Sequence, residues 1–153
     1  MMNGILHFIH YLAFVMWIGG GLATMVAGIA MKRLERPLWG AIVDVQGAIY
    51  RALIGPGAIV VLLSGIVMGL SMPGGMSGQV GPWLGTMQAA GAIGALVTLL
   101  GAMPTAFKLS RLDAVGADAP HFDALRKRLA ITSSIGGTLA LIALLAGALY
   151  THA

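Results

Sequence analysis

The chain has 153 residues, of which 58% are hydrophobic and 9% are charged, and its formal net charge is +4. A soluble domain carries about 25% charged residues, so this composition excludes a protein whose whole surface faces water. It indicates an exterior that faces lipid. Cysteine is absent, which excludes disulfides, thiolate metal sites and thiol nucleophiles.

Four apolar stretches are long enough to cross a bilayer, which takes about 20 residues. They cover residues 5–30, 52–71, 83–106 and 130–150. The sequence therefore predicts an all-α integral membrane four-helix bundle that forms a single transmembrane domain. The mildly amphipathic stretch 37–50 either lies in the membrane interface or extends the second helix, and Pro56 is predicted to kink that helix.

The charged residues predict how the bundle is oriented. The basic residues all follow the first or the third span, and they are Lys32, Arg33, Arg36, Arg51, Lys108, Arg111, Arg126, Lys127 and Arg128. Basic loops stay in the cytoplasm, so both termini are predicted outside (N-out/C-out). For a bacterial source, this means an inner-membrane protein with periplasmic termini. The same distribution explains the basic pI without nucleic-acid binding.

Two histidines lie near the outer end of the first span. His7 and His10 are three residues apart and share a helix face, and His10 lies deeper. Ligating groups inside a membrane span usually have a functional reason, so His10 is a candidate metal or haem ligand. The alternative for both is a histidine near a helix end that contacts solvent.

Methionines form a second candidate set at the same end of the bundle. Met68, Met72 and Met76 are spaced four apart, and Met87 enters the outer part of the third span. Thioether sulfur is a soft ligand for Cu(I) and for haem iron. The alternative is apolar gap filling. At 1.5 Å per residue, Met68, Met87 and His10 are predicted in one outward-facing layer.

Other polar residues are assigned to the ends of the helices. Asp118, His121 and Asp123 are predicted in a solvated cytoplasmic loop, and His152 in a solvated tail. Arg51, at the inner mouth of the second span, either snorkels to the interface or holds a propionate or phosphate group.

The first span resembles a known membrane family. His10 stands seven residues before Trp17, which is followed by Gly19 and Gly20. This pattern resembles the first helix of the copper-resistance-D-like and HemJ-like proteins. Further positions that carry the resemblance are Arg51, Pro56, Ser64, Gly65 and Trp83.

The resemblance implies haem b, since HemJ is a protoporphyrinogen oxidase associated with that cofactor. The family has a lysine about four residues after the tryptophan of its third helix, where this chain has Met87. This departure argues against HemJ-type oxidase activity, which stays a minor subset of the haem interpretation, and His10 and Met87 become the candidate axial pair. Trp17, His7 and Arg51 are the further candidate cofactor contacts.

Three interpretations stay open. The first is a haem b protein that passes electrons to an unidentified redox partner near the outer face. The second is a copper-binding protein that uses Met68, Met72, Met76 and His7. The third is a non-catalytic membrane subunit. The 23 glycines allow close helix packing, either within the bundle or at a homodimer face. Whether the protein is an enzyme is left open.

Overall fold

The computed structural model describes residues 2–71 and 81–150, with side chains from residue 4 onward in the first range. These residues form helices and turns without strands. Four helices are long and apolar enough to cross a membrane: α1 (Met2–Met31), α2 (Arg36–Leu70), α3 (Pro82–Leu109) and α4 (Gly116–Tyr150). Large apolar side chains are exposed along all four, with Val15 and Leu100 among the most exposed. The predicted all-α fold with four helices long and apolar enough to cross a membrane is confirmed for the described residues.

Two helices begin earlier than their apolar cores. α2 opens with a 3-10 turn at Arg36–Leu38, where Pro37 suits a first helical turn, and continues as α-helix over Trp39–Ile49. The stretch 37–50 therefore extends the second helix. α4 begins at Gly116 instead of near residue 130. The predicted cytoplasmic loop around His121 and Asp123 is wrong, because hydropathy detects the lipid-spanning part of a helix and not its polar extension.

Both central helices contain a π-helical segment just before a proline. Tyr50–Ile54 precedes Pro56 in α2, and Thr98–Ala102 precedes Pro104 in α3. In each, a backbone N–H bonds the carbonyl five residues earlier, as Gly55 does to Tyr50. Proline has no N–H to donate, so Pro56 and Pro104 cannot bond the carbonyls four residues earlier, and each helix widens just before its proline.

The helices pair as two hairpins, with α1 against α2 and α3 against α4. Gly57 allows α1 and α2 to approach each other closely, since a Cβ there would lie 2.8 Å from the Ala13 carbonyl oxygen. Gly136 allows the same for α3 and α4, since a Cβ there would lie 2.5 Å from Thr98 Oγ1. Of the four helices, α1 and α4 are in much less contact with each other than the members of either hairpin, so a gap opens between them.

An ion-pair cluster joins the charged ends of α2 and α4. Arg36 donates to Asp123 Oδ2 at 2.7 Å and, through Nε, to the Ala114 carbonyl oxygen at 2.7 Å. The guanidinium groups of Arg36 and Arg126 each lie 5.0 Å from the ring centroid of Trp39. This cluster, called the Trp39 clamp below, fixes the end of the bundle that carries the basic residues (the basic end).

Candidate functional site

His10 is buried between α1 and α2. Its side chain is 8% exposed, and its Nδ1 lies 2.7 Å from the hydroxyl oxygen of Ser64. Phe14 meets the imidazole edge to face, with 5.2 Å between ring centroids. Gly65 faces the ring atom Cε1 without a side chain, since a Cβ there would lie 3.6 Å from it. His10 is thus held at Nδ1 by Ser64, and Gly65 leaves the ring carbon between its two nitrogens without a side-chain neighbour at that position.

The hydroxyl of Ser64 determines which imidazole nitrogen carries the proton. Ser64 donates to the backbone carbonyl of Val60, so its oxygen is left to accept from His10. Nδ1 then carries the hydrogen, and the lone pair of the neutral ring is on Nε2. Metal-binding histidines commonly have this arrangement, in which a hydrogen bond at one nitrogen orients the other.

An aromatic column extends from His10 along α1. Phe14 stacks on Trp17 with 5.9 Å between centroids and a 30° interplanar angle. Trp17 is 3% exposed, and it also lines a cavity described below. The predicted cofactor contact Trp17 is therefore about two helical turns from His10, with Phe14 between them.

The other predicted ligands are placed on separate helices. Met87 is half-buried in α3, and its sulfur packs against Gly147 of α4, where a Cβ would lie 3.0 Å away. Met68 is half-buried in α2, and His7 is exposed with its ring 6.4 Å from that of Tyr11. His10 contacts Ser64, Phe14 and Tyr11, and its pairing with Met87 stays a prediction. Met72, Met76 and His152 lie outside the described residues.

Arg51 lies in the other half of the bundle. Ser64, the partner of His10, is thirteen residues along α2 from Arg51, which corresponds to about 20 Å of helix. The Arg51 side chain is exposed, and its guanidinium lies 5.7 Å from the Phe107 ring centroid. A group bound at His10 is therefore distant from Arg51 along the bundle axis.

Within residues 2–71 and 81–150, three or more His, Cys, Asp or Glu side chains do not come together as a metal-binding group. Asp118 and His121 are both exposed, whereas Asp123 pairs with Arg36.

A cavity of about 730 Å³ fills the gap between α1 and α4. Such a volume lies in the range of small-molecule sites. Trp17 and Ile18 lie at one end of the cavity, and charged residues lie at the other. Leu22, Met25 and Leu141 line it and are more than half exposed, so the cavity opens sideways toward lipid.

The inner wall of this cavity is polar. Tyr50 and Ser133 hydrogen-bond through their hydroxyl groups at 2.6 Å, and Gln46 donates to the Thr24 carbonyl oxygen at 2.7 Å. Thr98 also lines the wall. Tyr50 and Thr98 begin the two π-helical segments, so both helix irregularities face this cavity. Polar groups within a span normally face such an interior space, and π-helical turns are frequent at functional sites.

The mouth of the cavity carries Lys32, Asp123, Arg126 and Lys127. Arg36 already pairs with Asp123, so the three cations dominate. Nε of Arg126 is buried and donates no hydrogen bond within the described residues; Asp123 Oδ1 lies 3.8 Å away. This cavity was not predicted from sequence. The features that could have indicated it are the hydroxyl-bearing residues 132–134 of α4 and the prolines that follow the two π-helical segments.

No protein-family model, curated protein or solved structure matches this chain.

Proposed function

We propose that this membrane protein lies in a bacterial inner membrane with both termini in the periplasm, and that it holds haem b at His10 for electron transfer near the periplasmic face. The orientation is supported by the charges. The loops at residues 32–35 and 110–115 lie at the basic end, and basic loops remain in the cytoplasm. His10 is near the opposite end of α1.

The single observation that carries the cofactor proposal is the hydrogen bond between His10 Nδ1 and Ser64 at 2.7 Å. It orients the imidazole and supports a lone pair on Nε2, the form that ligates iron. Gly65, beside Cε1, adds no side chain next to that nitrogen. These residues fit a histidine-ligated group, which would supply one-electron chemistry when bound.

Met87 is the proposed second ligand. Histidine–methionine ligation raises haem potential, which suits electron transfer. The sulfur now packs on Gly147, and methionine has a flexible side chain. The proposed ligation by Met87 is independent of the proposed ligation by His10, because His10 could be paired with another ligand.

A visible spectrum of detergent-purified protein tests the proposal, recorded oxidised and then dithionite-reduced from cells supplied with haem precursors. We expect a Soret band and sharp reduced α and β bands that disappear in His10→Ala and persist in His7→Ala. Ser64→Ala should bind haem about 10- to 100-fold more weakly, as loss of a ligand-orienting hydrogen bond usually does. Met87→Ala should keep the haem with a lower potential.

A featureless spectrum of the unsubstituted protein would contradict the haem proposal. Copper is then the alternative, and Cu(I) titration tests it. Tight binding that weakens in Met68→Ala would support copper handling. A colourless protein that binds no Cu(I) and co-purifies with a second membrane protein would support a non-catalytic subunit instead.

A further inference from the structure

We propose that the cavity between α1 and α4 binds an anionic phospholipid from the surrounding membrane, with its phosphate at the charged mouth and one acyl chain extending to Trp17. This site is separate from His10, which does not line the cavity. The proposal does not depend on haem binding.

The shape of the cavity favours a ligand that arrives from lipid. Its rim residues Leu22, Met25 and Leu141 are exposed on the apolar surface of the bundle. A molecule within the membrane can therefore enter between α1 and α4 without passing through water. Ile18 and Trp17 line the far end, and the buried ring of Trp17 lies beside Gly94 of α3. This apolar end suits a hydrocarbon chain.

Charge determines the class of head group. Lys32, Arg126 and Lys127 converge at the mouth, and the carboxylate of Asp123 is already paired with Arg36. Asp123 Oδ1 also lies 3.8 Å from the buried Nε of Arg126. Lys32 and Lys127 are therefore the cavity cations without an ion pair among the described residues, and a phosphate oxygen is a suitable partner for their ammonium groups. Basic pockets between transmembrane helices are known sites for anionic lipid head groups.

The polar wall lies at the depth that a glycerol backbone would occupy. Ser133 is seven residues along α4 from Arg126, which corresponds to about 10 Å. Ser133 and Tyr50 present hydroxyl groups there, and hydroxyls can donate to ester carbonyl oxygens. The order from mouth to far end is thus cationic, hydroxyl-bearing and apolar, which matches the order phosphate, ester and acyl chain.

Trp17 provides a direct reporter for the site. The protein with Trp39→Phe and Trp83→Phe retains Trp17 as its only tryptophan. It is reconstituted in vesicles of fixed phosphatidylglycerol and phosphatidylcholine content, with brominated acyl chains on one lipid or the other. We expect brominated phosphatidylglycerol to quench Trp17 more strongly. A matched protein that retains only Trp83, which is 42% exposed at the opposite end, should be quenched equally by both lipids.

Charge variants test the mouth. Lys32→Gln combined with Lys127→Gln should reduce the preference for phosphatidylglycerol on the order of tenfold. The control is Arg33→Gln combined with Arg128→Gln, which removes the same charge from the adjacent residues, both outside the cavity lining. Equal loss in both double variants would overturn the proposed site, because the preference would then come from general surface charge.

Glycine variants test the cavity itself. Gly21 and Gly137 line it, and a Cβ at either position would meet no atom within 4 Å. Leucine there should fill the cavity without moving a helix and should abolish the selective quenching of Trp17. Gly19→Leu is the control, since Gly19 is equally open but lies outside the lining. The proposal would be overturned by unchanged selective quenching in Gly137→Leu or by equal quenching by both lipids in the Trp17 protein. It would also be overturned if the cavity held a neutral quinone that Gly137→Leu displaces.

Discussion

Single side chains at the basic end combine several interactions at once. Asp123 accepts from Arg36, and Arg36 and Arg126 both contact the Trp39 ring. Without the carboxylate, two guanidinium groups would share one aromatic ring and repel each other. Trp39 also packs on Phe122 with 6.5 Å between ring centroids. It is therefore part of the contact between α2 and α4.

We expect Asp123→Asn to lower the free energy of unfolding by about 1 kcal/mol. The paired side chains are 37% and 43% exposed, so solvent screening reduces the contribution below that of a buried pair. Thermal unfolding in detergent should show a midpoint lower by a few degrees, and the difference should shrink at high salt. Asp118→Asn, at an exposed position of the same segment, should have little effect; an equal loss would contradict the role of the clamp.

Gly65 allows access to His10 to be tested without removing the ligand. A Cβ at Gly65 would lie at ordinary contact distance, 3.6 Å, from His10 Cε1. Gly65→Ala should therefore retain the proposed haem spectrum, whereas the longer side chain of Gly65→Leu should cover the ring edge and reduce haem content severalfold or more. The ratio of Soret to protein absorbance measures the effect. Full haem content in a folded Gly65→Leu protein would contradict ligation through Nε2.

Whole helices approach each other closely where glycine removes a side chain. A Cβ on Gly57 would lie 2.8 Å from the Ala13 carbonyl oxygen and 2.9 Å from the Trp17 backbone nitrogen. Backbone atoms cannot rotate away as a side chain can. A methyl group at this position would thus force α1 and α2 apart.

We expect Gly57→Ala to destabilise the bundle by about 2 kcal/mol, the range for overpacking. Gly40→Ala is the matched control in the same helix, because a Cβ there would meet no atom within 4 Å. Alanine is otherwise preferred to glycine in a helix by up to about 1 kcal/mol, so this control should be neutral or slightly stabilising. Chemical unfolding in mixed micelles compares the two, and equal behaviour would contradict the close approach.

The number of spans could be predicted from sequence, whereas helix ends and side-chain partners could not. Hydropathy locates the part of a helix that crosses lipid, so it missed the polar start of α4 and left the extension of α2 as one of two alternatives. Partners far apart in the chain, such as His10 with Ser64 or Arg36 with Asp123, depend on how the helices pack. The cavity follows from the separation of α1 from α4, which no local pattern records.

For the whole molecule, charge and ligand candidates are divided between two ends. The Trp39 clamp and the cavity mouth lie at the basic end, whereas His10 lies toward the neutral end, where the described residues carry no Asp, Glu, Lys or Arg. Phe14 and Trp17 connect the surroundings of His10 to the far end of the cavity.

The placement of the charged residues at one end of the bundle predicts its orientation in the membrane. The chain has no cysteine, so single cysteines can be introduced without a background. Gly4→Cys and Gly81→Cys lie at the neutral end, whereas Leu34→Cys and Val115→Cys lie in exposed turns at the basic end.

In intact spheroplasts, a membrane-impermeant maleimide should label the first two cysteines and leave the second two unlabelled. All four should react after permeabilisation, which controls for accessibility. Because basic residues resist translocation, exchanging Lys and Arg for Gln throughout 32–36 should weaken this pattern. Labelling of Leu34→Cys in intact spheroplasts would show that the orientation is the reverse of the predicted one. The cavity mouth would then lie at the periplasmic face, with its chemistry unchanged.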